Sequence, residues 1–359
     1  MKYAHLYSPL ELGDLRLRNR IVMAPMTRSR ARQDDDAVSE LQANYYGQRA
    51  DAGLIVTEGV HPSADGKGYN RTPGIYNEVH TAAWSSVTHR VHERGGLIAC
   101  QLMHCGRVGH ALNKGRNTRF LAPSAVAASA EIFTEAGMQP MPTPEAMTVA
   151  EVKSVVADYQ LAAARALQSG FDAVELHCAS GYLPAQFLAT GSNFRDDQYG
   201  GSLENRLRFI ADVLQAIKVE TGAGRIGLRI SPGNPYNDHV DDDPKETYAA
   251  LLQLANQMGL AWVHAIRMAS TGIDSLALSR ANFSGALIGS DSFDAGEADQ
   301  FIADDLVDAV SFGRAYIANP DLVTRFALDA PLNALDKRTI YAGEGAGGYT
   351  DYPNLPPQG

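Results

Sequence analysis

Eight short apolar runs recur along this 359-residue chain, most of them separated by stretches with helical spacing. They are RIVMAP (20–25), LIVTEG (54–59), LIACQLMH (97–104), AVELH (173–177), RIGLRIS (225–231), AWVHAIR (261–267), GALIGS (285–290) and DAVSFGR (308–314). Near-continuous apolar character marks strands buried on both faces, as in a parallel sheet. Helical spacing predicts helices over 37–50, 80–93, 148–168, 202–219, 246–258, 295–302 and 320–328, with a weaker one inside 268–284. Thr148 and Glu151 form a capping box at the start of the third, and Gly170 ends it. Eight strands alternating with helices predict an α/β chain closed into a (β/α)8 TIM barrel, which needs about 250 residues. The chain reads as one domain over 1–359. LELGDLRL (10–17) reads as an N-terminal hairpin plugging the barrel bottom. Residues 105–147 have no clear period and read as a long excursion after strand 3, with room for a hairpin of its own. An open doubly wound sheet would require a glycine fingerprint after the first strand. RIVMAPMT has none, and the glycine-rich run at 343–348 precedes no helix.

Charge and cysteine usage exclude several classes. The net charge is −10, from 31 basic and 41 acidic residues, with no dense Lys/Arg cluster. Nucleic acid and anionic membranes are therefore not expected partners. The 3 cysteines lack CxxC spacing, which argues against a disulfide framework and for a cytoplasmic location. No secretory leader is evident, and no apolar run approaches the ~20 residues that span a bilayer.

In a barrel of this kind chemistry sits past the carboxyl ends of the strands. Those ends carry Pro25-Met26-Thr27, Glu58-Gly59, Gln101 with Met103, His177 with Ser180 and Tyr182, Arg229, a Gly289-Ser290 turn and Gly313-Arg314. No lysine is among them, which counts against Schiff-base chemistry. No carboxylate cluster or HxH pair is present, which counts against a metal hydrolase. His239 beside Asp241, Asp242 and Asp243 reads as a solvated acidic loop, so no metal is expected. Gly313-Arg314 follows the last strand, where such barrels commonly bind phosphate. Arg314 as a surface ion pair is the competing reading. The set suggests a planar, phosphate-bearing ligand across the barrel mouth.

Several stretches then resemble the old yellow enzyme family of FMN-dependent ene-reductases, in particular the bacterial N-ethylmaleimide and nitrate-ester reductases. They include RNRIVMAPMTR, QLMHCGR, GFDAVELHCASGYLPAQFL, DDQYGGSLENR, GLRISP, FGRAYIANPDL and GYTDYP, spread over nearly the whole chain. The resemblance implies noncovalent FMN, with NADPH or NADH as reductant. It implies that Thr27, Gln101 and Arg229 hold the flavin ring, that Pro25, Met26 and Gly59 contact it, and that Gly313 and Arg314 with the seventh-strand turn, including Ser292, bind its phosphate. It further implies an oxidoreductase that reduces activated C=C bonds of α,β-unsaturated carbonyl or nitro compounds. Flavin N5 would deliver hydride, His177 and Ser180 would bind the substrate oxygen, and Tyr182 would supply the proton. Tyr69, Met103 and Tyr349 match positions that contact substrate.

Three residues depart from the family pattern. Ser180 stands where relatives carry Asn or His, and its donor reaches less far. Met103 replaces a common Trp. Asp291 replaces a usual Gly and brings an acid toward the phosphate site. These departures keep two rivals in view: a nitrate-ester or nitroaromatic reductase with incidental ene-reduction, and a non-catalytic FMN-binding or sensor protein. A monomer or weak homo-oligomer acting on a small molecule is the expected state.

Overall fold

A computed structural model describes residues 2–115 and 118–356. The chain opens with an antiparallel hairpin, β1 (Leu10–Leu12) and β2 (Leu15–Leu17). Eight parallel strands then close into a barrel: β3 (Ile21–Met23), β4 (Leu54–Val56), β5 (Ile98–Leu102), β10 (Ala173–Cys178), β11 (Ile226–Ile230), β12 (Trp262–Ile266), β13 (Ala286–Ser290) and β14 (Ala309–Phe312). Each lies within or nearly within a predicted run. Most are shorter, because the barrel ladder ends where the chain turns into the upper loops.

The helices between them are α1 (Glu40–Gly47), α2 (Glu78–His92), α3 (Val149–Gln168), α4 (Leu183–Leu188), α5 (Leu203–Thr221), α6 (Pro244–Met258), α7 (Ser275–Asn282), α8 (Ala295–Ala303), α9 (Arg314–Ala318) and α10 (Leu322–Ala327). The Thr148–Glu151 capping box forms as expected. Two assignments need correction. The helix expected over 320–328 forms as α10, and a further short helix given no element from the sequence, α9, precedes it and stops before Pro320, which cannot donate to a continuing ladder. The apolar stretch 183–188, given no element from the sequence, is α4; with 6 residues it is too short to show a period.

The excursion carries β6 (Leu121–Ala122), the hairpin β7 (Glu131–Thr134) and β8 (Gly137–Pro140), and β9 (Glu145–Ala146). Arg119 bridges Glu145 and Glu151, which fastens this excursion to the start of α3.

The barrel interior is layered. At the bottom, Leu12, Leu15 and Leu17 of the hairpin pack with Val22, Leu54, Val56, Ala99, Trp262 and Ile288. The hairpin is therefore a plug. Gly13 adopts φ +58 there, and a Cβ would lie 2.2 Å from the Gly224 carbonyl. Gly227 leaves room for the Trp262 indole, which a Cβ would strike at 2.0 Å. Above this apolar floor lies a charged layer, and above that the cavity.

Six buried histidines make stability depend on pH. Burial pushes His61, His104 and His177 down to about 3, and His80, His239 and His264 to about 4, from the usual 6.5. The unfolded chain therefore takes up protons first. Their contribution is complete above pH ~6.5 and is lost as pH falls toward 3–4, by up to about 1.4 kcal/mol per pH unit each. Glu58, raised by burial to about 7, acts in the opposite sense as pH rises toward neutrality. The histidines outnumber it, so the urea midpoint should fall between pH 7 and pH 5. An unchanged midpoint would contradict this balance.

Candidate active site

The charged layer is built by neighbouring strands in register. Glu175 of β10 lies beside Gln101 of β5, and Arg229 of β11 beside both His177 and His264. Glu175 is fully buried and accepts from Gln101 Nε2 (2.8 Å), Trp262 Nε1 (2.9 Å) and His264 Nδ1 (2.9 Å). Burial alone would raise its carboxyl; His264, Arg229 and Trp262 outweigh that and hold it at about 2. His264 is kept neutral by burial and by Arg229. With its Nδ1–H given to Glu175, its Nε2 accepts from Arg229 Nη1 (2.8 Å) and lies 2.7 Å from Ser311 Oγ. Arg229 also donates to Ser290 Oγ (3.3 Å). A guanidinium is thus fixed at the cavity floor over a buried counter-charge.

The cavity above is about 1370 Å³. That exceeds the ~300–1,000 Å³ of ordinary ligand pockets and leaves room for a cofactor and a second molecule. Pro25, Met26, Thr27, Gly59, Gln101 and Arg229 line it, as do Ser292, Gly313 and Arg314 on another side. His177, Ser180, Tyr182, Tyr69 and Met103 complete the shared wall. Tyr349 is not brought to this wall. It is fully buried, stacked on Tyr45 at 4.0 Å, with the Arg28 and Arg30 guanidinium groups over its ring. Those arginines bond carbonyls of the C-terminal segment, including Ile340, Ala342 and Gly348. Tyr349 therefore anchors the strap that carries Lys337, Arg338 and Tyr341 to the cavity rim.

His177 and Tyr182 meet edge to face, ring centroids 4.9 Å apart. Burial, then Arg229, lowers His177 to about 3, so the imidazole is neutral, and its Nδ1 has no partner among the described residues. Burial pushes the Tyr182 phenol well above its usual range. The phenol stays protonated at any physiological pH. Its hydroxyl lies 3.0 Å from that of Tyr69.

Ser180 occupies a left-handed conformation, φ 55. Its N–H donates to Ser231 Oγ (2.9 Å) and its carbonyl accepts from Asn237 Nδ2 (2.8 Å), which pins that backbone. Asn tolerates this region better than Ser and carries a longer donor. Ser180→Asn should therefore bind phenol about tenfold more tightly, one added hydrogen bond, by titration of the flavin spectrum. Unchanged affinity would show that position 180 does not face the ligand oxygen.

Met103 fills the wall beside Gly59, where a Cβ would sit 2.5 Å from the thioether. Asp291 takes φ 83, a glycine-type conformation, and its carboxylate lies 3.6 Å from Arg314. The acid faces the candidate phosphate site and does not point away. Arg267 holds this turn: it donates to the carbonyls of Asp291 (2.8 Å) and Ser292 (3.0 Å), pairs with Glu297 and stacks on Phe293.

The cysteines are buried, and burial raises Cys105 to about 12 and Cys178 further, so neither is a reactive thiolate. Asp242 and Asp243 are exposed, as a solvated acidic loop requires, while His239 itself is buried; no group of three or more possible metal ligands occurs among the described residues.

Sequence reasoning missed Glu175, His264 and Arg267. Glu175 and His264 lie two residues from inward-facing positions of their own strands, so strand alternation alone pointed to them. Arg267 left no signal, since its role depends on a turn more than twenty residues away.

The donor set fits FMN. A hydroxyl, an amide and a guanidinium line one part of the cavity, as a flavin ring edge requires, while Ser292 and the largely exposed Arg314 suit a phosphate. Asp291 is the one discordant group. The sequence pattern of the NADH:flavin oxidoreductase / NADH oxidase family matches residues 5–333. A probable flavin mononucleotide-dependent alkene reductase of Leishmania infantum is 40% identical over 357 residues, covering 97% of each chain. Among solved structures, morphinone reductase in complex with tetrahydroNAD superposes with a TM-score of 0.93 at 43% identity, covering 98% of each chain. The old yellow enzyme homologue of Zymomonas mobilis gives 0.93 at 35%, covering 98% of this chain and 99% of that one. Fold and relatives define an FMN-dependent barrel oxidoreductase that draws electrons from NADH or NADPH. The chain belongs to the NADH:flavin oxidoreductase / NADH oxidase family, as an old yellow enzyme-type member. Among the described residues no helix is long and apolar enough to cross a membrane.

Proposed function

We propose that this protein is an ene-reductase, reducing the C=C bond of α,β-unsaturated carbonyl or nitro compounds at the expense of NADPH or NADH. The observation that carries the reading is the pairing, on one cavity wall, of a neutral imidazole and a buried protonated phenol. Thr27, Gln101 and Arg229 hold the cofactor ring, and Ser292, Gly313 and Arg314 its phosphate. Bound FMN supplies two-electron hydride chemistry between the nicotinamide and the second substrate. His177 donates to the substrate oxygen, with Ser180 adding a shorter donor, and so draws electron density from the β-carbon. The fixed charge of Arg229 favours negative charge developing near the floor. Tyr182 protonates the α-carbon.

The Leishmania relative's description as an alkene reductase supports this assignment. Steady-state assays with 2-cyclohexenone should consume reduced nicotinamide and yield cyclohexanone. Nitrite release from a nitrate ester with no cyclohexanone formed would move the assignment to nitrate-ester reduction.

A further inference from the structure

Each cycle of the proposed reaction leaves Tyr182 without its proton, and the surroundings restrict how it is restored. Tyr182 is 7% exposed and packs among Met103, Cys105, Val108, Ala128, Ile132 and Met141, a mostly apolar cluster. A phenolate there is costly and short of donors. Among the described residues one side chain reaches its hydroxyl: Tyr69, at 3.0 Å, with the two rings nearly perpendicular. Tyr69 comes from a different segment, the loop after β4. It is only partly buried and lines the open cavity.

We propose that Tyr69 is a further catalytic residue, the proton relay that recharges Tyr182 from solvent between turnovers. This rests on the ene-reductase reading, in which Tyr182 is the acid. The Tyr182 O–H bond breaks as the substrate Cα–H bond forms. The Tyr182 phenolate then takes the Tyr69 proton, and the Tyr69 phenolate takes one from water at the cavity mouth. Both tyrosines end as they began. The net proton comes from solvent, and the hydride comes from the reduced cofactor, as in the proposed reaction. The hydroxyl–hydroxyl contact allows either oxygen to donate, so one geometry serves before and after the proton moves.

The relay separates first from later turnovers. The FMN-loaded Tyr69→Phe protein, reduced beforehand and mixed once with saturating 2-cyclohexenone, starts with Tyr182 protonated, so its single oxidation reads whatever Tyr69 contributes by direct contact with the enone. Its steady-state turnover should fall about tenfold further than that single oxidation does. Tyr69→His, which restores a transferable proton, should recover most of the steady-state rate. Unchanged steady-state turnover in Tyr69→Phe overturns the relay. So does equal slowing of the single and steady-state reactions, which would mean that Tyr69 only packs against Tyr182. Tyr182→Phe tests the underlying reading separately. It should slow the single oxidation itself by about 10²-fold, and a normal single oxidation there removes Tyr182 as the acid and the relay with it.

Discussion

Replacing His177 with alanine should lower kcat/KM for 2-cyclohexenone by about 10²–10³-fold, the usual value of one donor to a developing oxyanion. The loss should be large because its partner is weak. Ser180 is held by two backbone hydrogen bonds in a left-handed turn, and its short side chain cannot take over the ligand oxygen. His177 is also the better-defined donor, buried, neutral and packed edge-on against Tyr182. Phenol affinity should fall in parallel, since a phenolate oxygen would occupy the same position. Reduction by the nicotinamide, followed by anaerobic stopped flow, separates this effect from damage to the cofactor site. A His177→Ala protein that keeps its parent kcat/KM for the enone would place the substrate oxygen elsewhere.

The second large effect lies beneath the cavity. Glu175→Gln should destabilise the fold by about 3–5 kcal/mol, because it removes the counter-charge of a buried guanidinium. The carboxylate accepts three hydrogen bonds, from Gln101, Trp262 and His264. An amide of the same shape can accept with one oxygen only, and its NH₂ faces N–H donors. Arg229 then remains buried with the nearby acid neutralised, while Trp262 and His264, which share one carboxylate oxygen, leave the new NH₂ facing the Gln101 amide. Urea unfolding of the purified variant reads the loss. A change below about 1 kcal/mol would show that the layer is held by packing and not by charge balance across His264.

Much of this architecture was legible because a closed parallel barrel imposes continuous apolar strands and helical returns. RIVMAP, LIACQLMH and AVELH announce themselves by burial on both faces, and Thr148 with Glu151 by capping chemistry. The site was legible where it followed strand ends in register: His177, Arg229 and Gln101 all lie there. Legibility failed where tertiary contacts decide. Tyr349 matched a family position, yet the stacked Tyr45 and the Arg28 and Arg30 guanidinium groups draw it into the core. The α4 helix is too short for periodicity to distinguish it from a buried strand. The Asp291–Arg314 pair depends on where two separate turns end, which no local pattern encodes. Ser180 was identified as a departure from its relatives, but only the backbone shows that its conformation suits the asparagine it lacks.

The central claim is that one cavity passes electrons from a nicotinamide through FMN to an activated alkene. Its most direct test is an anaerobic sequence on the FMN-loaded protein. NADPH or NADH is added to equivalence, then 2-cyclohexenone, with the visible flavin absorbance followed throughout. The account predicts bleaching by the nicotinamide and full recovery on adding the enone, with one equivalent of cyclohexanone formed. Bleaching without recovery, or no bleaching at all in a protein that holds FMN, would contradict it.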